Sequence, residues 1–378
     1  MRKMNRYFDY TSTTPMNDEM IKLYGELLKK YYVNADSLYP SGQKVNAILQ
    51  KAREKIALDL NVLPKEVIFT SCGSESNNTA IKGVALKRKD KGKHIISTCV
   101  EHSSVLNSLK WLHDYLDYEI TYLPVNSDGK IDVEDLKKAM RQDTILVSIM
   151  MVNNESGALM PIDEVKKIVR KYPNCYLHVD CVQALGKMNL DLKDIDLASF
   201  SAHKINGLKG SGLLIKKQHV MLAPLISGGQ QEYHLRAGTE NVPADILFAK
   251  VLDASLKDLD EKINYVQSLH DHLWDELTKM EDIVINSPKD GSPFILNFSC
   301  LKITSQVMMN ALAQKGFEVS AMSTCDSENA YSHVISQMYK KDENRLKGTI
   351  RVSLSHDHQL SDVDDLINAI KECIRLYG

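Results

Sequence analysis

The sequence predicts an α/β protein whose larger part is a mostly parallel sheet covered by helices on both faces. From about residue 65, short apolar runs alternate with longer amphipathic ones, and such alternation implies crossover connections between parallel strands. Glycine-rich stretches follow at 207–212 and 227–229, and past about residue 255 the pattern changes to that of a smaller α+β unit.

The elements follow in order. Apolar runs place strands over 67–70, 94–97, 119–123, 144–150 and 176–179, with helices over 76–89, 103–116, 132–141 and 162–171 between them. A single long helical pattern then runs over 245–280 without a strong break. The smaller unit reads as a strand over 294–298, a helix over 305–315, a loop around Cys325, a strand over 349–354 and a closing helix from 361. The expected division is a large domain over 15–255 and a small domain made of 1–14 and 256–378.

Composition excludes several function classes. The 47 basic and 49 acidic residues leave a net charge of -2, which argues against nucleic acid as the main ligand. The seven cysteines are scattered and form no CxxC pair, so neither a disulfide framework nor a sequence-local zinc site is expected. No signal peptide or membrane span is apparent, and a soluble cytoplasmic protein without metal is the expectation.

Five segments carry chemistry. In Ser199-Phe200-Ser201-Ala202-His203-Lys204, a lysine follows a strand amid small residues, with Gly207, Gly210 and Gly212 beyond it. That suits a Schiff-base lysine approached closely by a flat cofactor, although an exposed strand-end lysine would read the same way. Asp180 ends the earlier strand Tyr176-Leu177-His178-Val179. Pyridoxal phosphate needs an aspartate against its pyridinium nitrogen to act as an electron sink, whereas a lone strand-end Asp could be only a helix cap. The two segments together favour the cofactor.

The third segment, Phe69-Thr70-Ser71-Cys72-Gly73-Ser74-Glu75-Ser76-Asn77-Asn78, passes from strand through small residues to helix. Free N–H groups and the positive helix end converge there, a geometry for phosphate, but the P-loop spacing and its lysine are absent. Gly73 and Ser74 would hold the cofactor phosphate, with Ser201 and His203 on its other side. Fourth, His102 in Val100-Glu101-His102-Ser103 sits where an imidazole can stack on a cofactor and move protons, and Asn153 lies after another strand. Fifth, Cys325 in Ser323-Thr324-Cys325-Asp326-Ser327 is a thiol in a polar loop, a candidate nucleophile or an ordinary surface cysteine.

Together these segments resemble the NifS/IscS-type cysteine desulfurases, pyridoxal phosphate enzymes of fold type I in the class V aminotransferase group. The likeness runs from Phe8-Asp9 to Ile350-Arg351-Val352-Ser353 and includes Glu101-His102, Asn153-Asn154-Glu155, Gln183 and Arg236-Ala237-Gly238-Thr239-Glu240-Asn241. It implies a seven-stranded sheet in the large domain and a homodimer. It also implies that Lys204 carries the cofactor and then moves protons, that Asp180 pairs with the pyridinium nitrogen, and that Gln183 bonds the ring hydroxyl. His102 would stack on the ring and act as acid or base. Gly73, Ser74, Ser201 and His203 would hold the phosphate, Thr239 would reach the partner subunit's phosphate, and Asn153 and Arg351 would receive the carboxylate of L-cysteine. Cys325, in a loop over about 321–333, would take the sulfur as a persulfide with release of alanine. It would pass the sulfur to an iron–sulfur scaffold or a tRNA-thiolation protein.

Four departures from the family pattern stand out: Cys72 in place of glycine, Ala321-Met322-Ser323-Thr324 before Cys325, Asp326 after it, and Cys181 after Asp180. Cys72 and Cys181 read as small buried filler. Asp326 should raise the neighbouring thiol's pKa and slow transfer without a partner. An aminotransferase or a selenocysteine lyase on the same fold is the alternative reading, and a non-catalytic binding partner of sulfur assembly a weaker one.

Overall fold

The computed structural model describes residues 6–321, 331–340 and 342–378. Seven strands form the main sheet: β1 Val67–Thr70, β2 His94–Thr98, β3 Glu119–Leu123, β4 Thr144–Met150, β5 Tyr176–Asp180, β6 Leu197–Ser201 and β7 Gly212–Lys216. Their order is β1-β7-β6-β5-β4-β2-β3, with parallel pairing from β3 through β6 and β7 antiparallel to both β6 and β1. Every residue of β2, β4, β5 and β6 is buried, as expected for parallel strands covered on both faces.

Two histidines clamp these buried strands side to side. His178 on β5 bonds Ser148 Oγ of β4 through Nδ1 at 2.8 Å and Ser199 Oγ of β6 through Nε2 at 2.9 Å. His94 on β2 likewise spans Thr144 of β4 (2.7 Å) and Thr121 of β3 (2.8 Å). Burial pushes His178 down to about 4, so the ring stays neutral and its two nitrogens serve one as donor and one as acceptor.

A second, antiparallel sheet has the order β10-β9-β8, from β8 Ile283–Ile285, β9 Ile295–Cys300 and β10 Thr349–Ser353. Helices Leu259–Thr278, Ser305–Gln314 and Leu360–Tyr377 pack around it. The N-terminal segment joins this sheet. Phe8 N–H donates to Glu318 O, Ser353 N–H donates to Phe8 O, both at 2.8 Å, and the Phe8 ring stacks on His358 at 4.2 Å.

One expectation is corrected here. The helix expected over 245–280 is two, Val242–Leu256 and Leu259–Thr278, because Lys257 is extended and Asp258 takes a left-handed conformation (φ 52). No glycine or proline marks that break; aspartate tolerates the left-handed region through its short polar side chain. Helices Asp18–Lys30 and Pro40–Asp59, which the sequence reading left unassigned, pack on Val242–Leu256. Asn17 caps the first by accepting Met20 N–H, and Pro40 opens the second where its missing N–H costs nothing.

Arg53 of helix Pro40–Asp59 anchors the segment ahead of Thr239. Its guanidinium donates to Glu232 Oε1 (2.6 Å), Glu232 Oε2 (2.8 Å) and Val67 O (2.5 Å), while Phe69 N–H also donates to Glu232. Glu232, Tyr233 and His234 all have positive φ, a strained run that this buried pair holds in place. Glu232→Ala would leave the Arg53 charge buried without its partner. The expected cost is about 3–5 kcal/mol, read as a lowered midpoint in urea unfolding.

Candidate active site

Strand direction brings the chemistry together. Because β1 and β6 are both antiparallel to β7, β1 runs with the parallel strands. Thr70, Thr98, Met150, Asp180 and Ser201 therefore end their strands at one edge of the sheet, where open α/β sheets bind ligands. A cavity of about 190 Å³ opens there. Its walls include Gly73, Ser74, His102, Asp180 and Gln183. Ser201, His203, Lys204 and Arg351 line it too, so nine of the site residues named from sequence meet in one place.

One wall is built for an anion. Helix Gly73–Arg88 starts here, with Cys72 as its cap accepting Glu75 N–H on Sγ at 3.5 Å. A Cβ at Gly73 would come within 2.8 Å of Val182 Cγ2, so any larger residue there would push Val182 aside. Ser201 Oγ is buried with no hydrogen-bond partner, beside the positive end of the helix. His203 lies next to it, pushed down to about 4 by burial and by the Lys204 charge, and so is neutral. An unspent hydroxyl among helix N–H groups is a donor set that fits a phosphate.

Lys204, in the turn after β6, donates from Nζ to the carbonyls of Thr11 and Ser12, both at 2.7 Å. Asp180 accepts Val182 N–H on Oδ1 (3.0 Å) and Asn77 Nδ2–H on Oδ2 (2.7 Å). Asn77 pays for this with a buried, unpartnered Oδ1, a penalty of about 1–3 kcal/mol. Gln183 donates to Thr11 O (3.0 Å) and accepts from Lys187 Nζ (2.9 Å). Lys187 is driven down to about 7 by burial, then by the Lys204 and Arg351 charges.

His102 caps helix Ser103–Leu116 and has its pKa lowered, chiefly by burial. The buried Arg351 of β10 donates to Asn154 O (3.0 Å), Asp9 Oδ1 (2.7 Å) and Ser12 Oγ (2.9 Å). Its guanidinium is thus fixed at the cavity wall by two parts of the chain far apart in sequence.

Other named residues stand elsewhere. Asn153 is fully buried behind the wall: Oδ1 accepts the N–H groups of Glu155 and Ser156, and Nδ2 donates to Val100 O. Asn154 lines the cavity instead, with its Oδ1 buried and unpartnered. Thr239 is exposed and does not line the cavity of its own chain. Cys72 is half-buried at the cavity, not filler; its φ of −175 is extended backbone, so no glycine is required there. Cys181 is fully buried, with its thiol pushed well up by burial.

Residues 6–366 match the family whose model is described as aminotransferase class-V. A cysteine desulfurase IscS of Dictyoglomus turgidum is 39% identical, over 98% of this chain and 95% of that protein. The chain is a cysteine desulfurase of the class-V aminotransferase family. A putative cysteine desulfurase IscS 1 of Bacillus subtilis is 34% identical over 98% of both chains. A solved NifS-like protein superposes with a TM-score of 0.92 at 35% identity, covering 98% of this chain and all of that one.

In this desulfurase Cys325 and Asp326 lie outside the described residues, but residues that precede and follow them in sequence bond at the site. Before it, Ser320 pairs with Arg351 through Ser320 N–H to Arg351 O (3.2 Å) and Arg351 N–H to Ser320 O (2.5 Å). After it, Ser332 Oγ donates to Glu155 Oε2 (2.5 Å) and His333 Nε2 lies 3.1 Å from Glu101 O. Sequence reasoning assigned no role to Asn77, Ser104 or Asn154, which lie within the singled-out segments, nor to Lys187. It also passed over Thr11 and Ser12, whose backbone carbonyls leave no mark in side-chain chemistry.

Glu101 is fully buried, and burial raises it to about 8. Its Oε1 accepts from Thr98 Oγ1 (2.7 Å) and Met150 N–H (3.0 Å). The unfolded chain releases this proton near the ordinary carboxylate value, whereas the folded protein keeps it. Its contribution is therefore present below about pH 4.5 and is lost as pH rises through about 8, by up to about 1.4 kcal/mol per pH unit. Subtracting the unfolding free energies of Glu101→Gln from those of the parent across this range should reveal that slope; a flat difference would show that Glu101 ionises normally.

Proposed function

We propose that the cavity holds pyridoxal phosphate and that its walls divide the desulfurase reaction among them. The convergence of Lys204, Asp180, His102, Ser201 and Arg351 on one cavity carries this reading. When bound, the cofactor supplies an electron sink that labilises bonds at the substrate's α and β carbons. Lys204 holds it and then moves a proton at Nζ. Asp180 supports the ring nitrogen, Gln183 donates to the ring oxygen, and His102 packs on the ring. Gly73, Ser74, Ser201 and His203 receive the phosphate.

Arg351 takes the carboxylate of L-cysteine bidentately, with Asn154 beside it and Asn153 bracing the turn from behind. In the transfer, the substrate's C–S bond breaks and an S–S bond forms on Cys325, so that cysteine and a thiol become alanine and a persulfide. A protein persulfide turns over only when an acceptor removes its outer sulfur, which supports delivery to a scaffold or tRNA-thiolation protein. The bonds that hold Ser320 and Ser332 at the site, on either side of Cys325 in sequence, support Cys325 as the carrier.

The exposed Thr239, outside its own chain's cavity, supports a homodimer in which it reaches the neighbour's phosphate. The N-terminal segment's bonds to Glu318 and Ser353 support grouping 1–14 with 256–378. All six described cysteines are free, which suits a reducing cytoplasm.

Incubation with L-cysteine should add one sulfur atom to the Cys325 peptide and release alanine, as read by mass spectrometry. Cys325→Ser should abolish both while borohydride still fixes the cofactor to Lys204. Cofactor bound at another residue, or sulfur addition surviving in Cys325→Ser, would overturn the assignment.

A further inference from the structure

A chain of hydrogen bonds with a fixed direction runs from Asp180 to His102. Asn77 Nδ2 donates to Asp180 Oδ2 at 2.7 Å and to Ser104 Oγ at 2.9 Å. Turning the amide over would place its carbonyl oxygen 2.7 Å from a carboxylate oxygen, acceptor against acceptor. The carboxylate thus decides which way Asn77 points, and the unpartnered Oδ1 of Asn77 is what that orientation leaves behind.

Ser104 is bound by the same logic. Its hydroxyl accepts from Asn77, which leaves its own hydrogen to give, and His102 Nδ1 lies 2.8 Å away. The backbone N–H of Ser104, which can only donate, points at the same nitrogen from 3.1 Å. Both contacts need a lone pair on Nδ1. The neutral ring then carries its hydrogen on Nε2.

We propose that Asn77 and Ser104 are positioning residues that hold His102 in its Nε2–H tautomer, with Asp180 setting the direction of the whole chain. This rests on reading Asp180 and His102 as the residues that face the cofactor. His102 accordingly enters the reaction as a hydrogen-bond donor at Nε2. It accepts a proton only if Ser104 first gives up its contacts with Nδ1. Tuning of the ring nitrogen and of the imidazole are then one network, not two independent sites.

The test is the tautomer itself, read from long-range 1H–15N spectra of the purified enzyme labelled with 15N-histidine. Signals of His102 are identified by their loss in His102→Gln. The parent should show Nδ1 without hydrogen. Asn77→Leu and Ser104→Ala should each shift the tautomer ratio toward Nδ1–H by several-fold, up to about tenfold, the equilibrium worth of one net hydrogen bond.

Near-ultraviolet circular dichroism checks folding, and Ser104→Ala decides alone if Asn77→Leu does not fold. A hydrogen on Nδ1 in the parent would overturn the proposal, as would an unchanged ratio in the folded variants. Borohydride labelling in the same samples keeps the cofactor reading separate. An unlabelled Lys204 with the stated tautomer would count against that reading and leave the hydrogen-bond chain standing.

Discussion

His178, wedged between Ser148 and Ser199, is the interaction on which the site depends. It ties β4, β5 and β6 in a register that sets Met150 beside Asp180 and Asp180 beside Ser199. Sliding a strand by one residue would reverse the face of every side chain on it. Apolar neighbours alone resist that weakly in strands buried on both faces, because either face is acceptable to valine or isoleucine. A histidine that must meet a hydroxyl on each side has only one satisfying register, since an unmet buried nitrogen is expensive. The clamp lies two residues from Asp180, on the same face of the strand. The residue that aligns the sheet therefore also aims the carboxylate.

Much of this was legible in the sequence because strand ends and glycine turns leave strong marks. The runs before Thr70, Met150, Asp180 and Ser201 end at the sheet edge where the cavity opens, and Lys204 and Asp180 both line that cavity. What escaped falls into two physical kinds. Some elements lack a local signal: the break at Asp258 has neither glycine nor proline, and the strained run at 232–234 depends on Arg53 from a distant helix. Other contributions are made by backbone, such as the Thr11 and Ser12 carbonyls on Lys204. Asn153 and Asn154 show a subtler limit. The pair was visible, but which of two adjacent amides faces the cavity is decided by the turn, and the turn turned Asn153 inward.

Electrostatics in the site follow from placing several cations and few unmatched anions in little water. Lys204 and Arg351 together press on Lys187, Lys204 presses on His203, and burial lowers both Lys187 and His203. A cavity of this kind keeps its histidines neutral, and neutral imidazoles are directional. Their orientation comes from hydrogen bonds and not from charge, so second partners such as Ser104 and Thr13 matter as much as the rings they touch.

Residues 9–12 lie against Lys204, Gln183 and Arg351 at once, so the beginning of the chain and a strand near its end close on the middle. During synthesis these three parts leave the ribosome at different times. Asp9 is made 342 residues before Arg351 and waits for it. A growing chain can therefore form the sheet that carries Lys204 well before Arg351 is there to close the cavity wall. The wall to which Arg351 belongs is thus completed only once β10 has been made, well after the strands that bear Asp180 and Lys204.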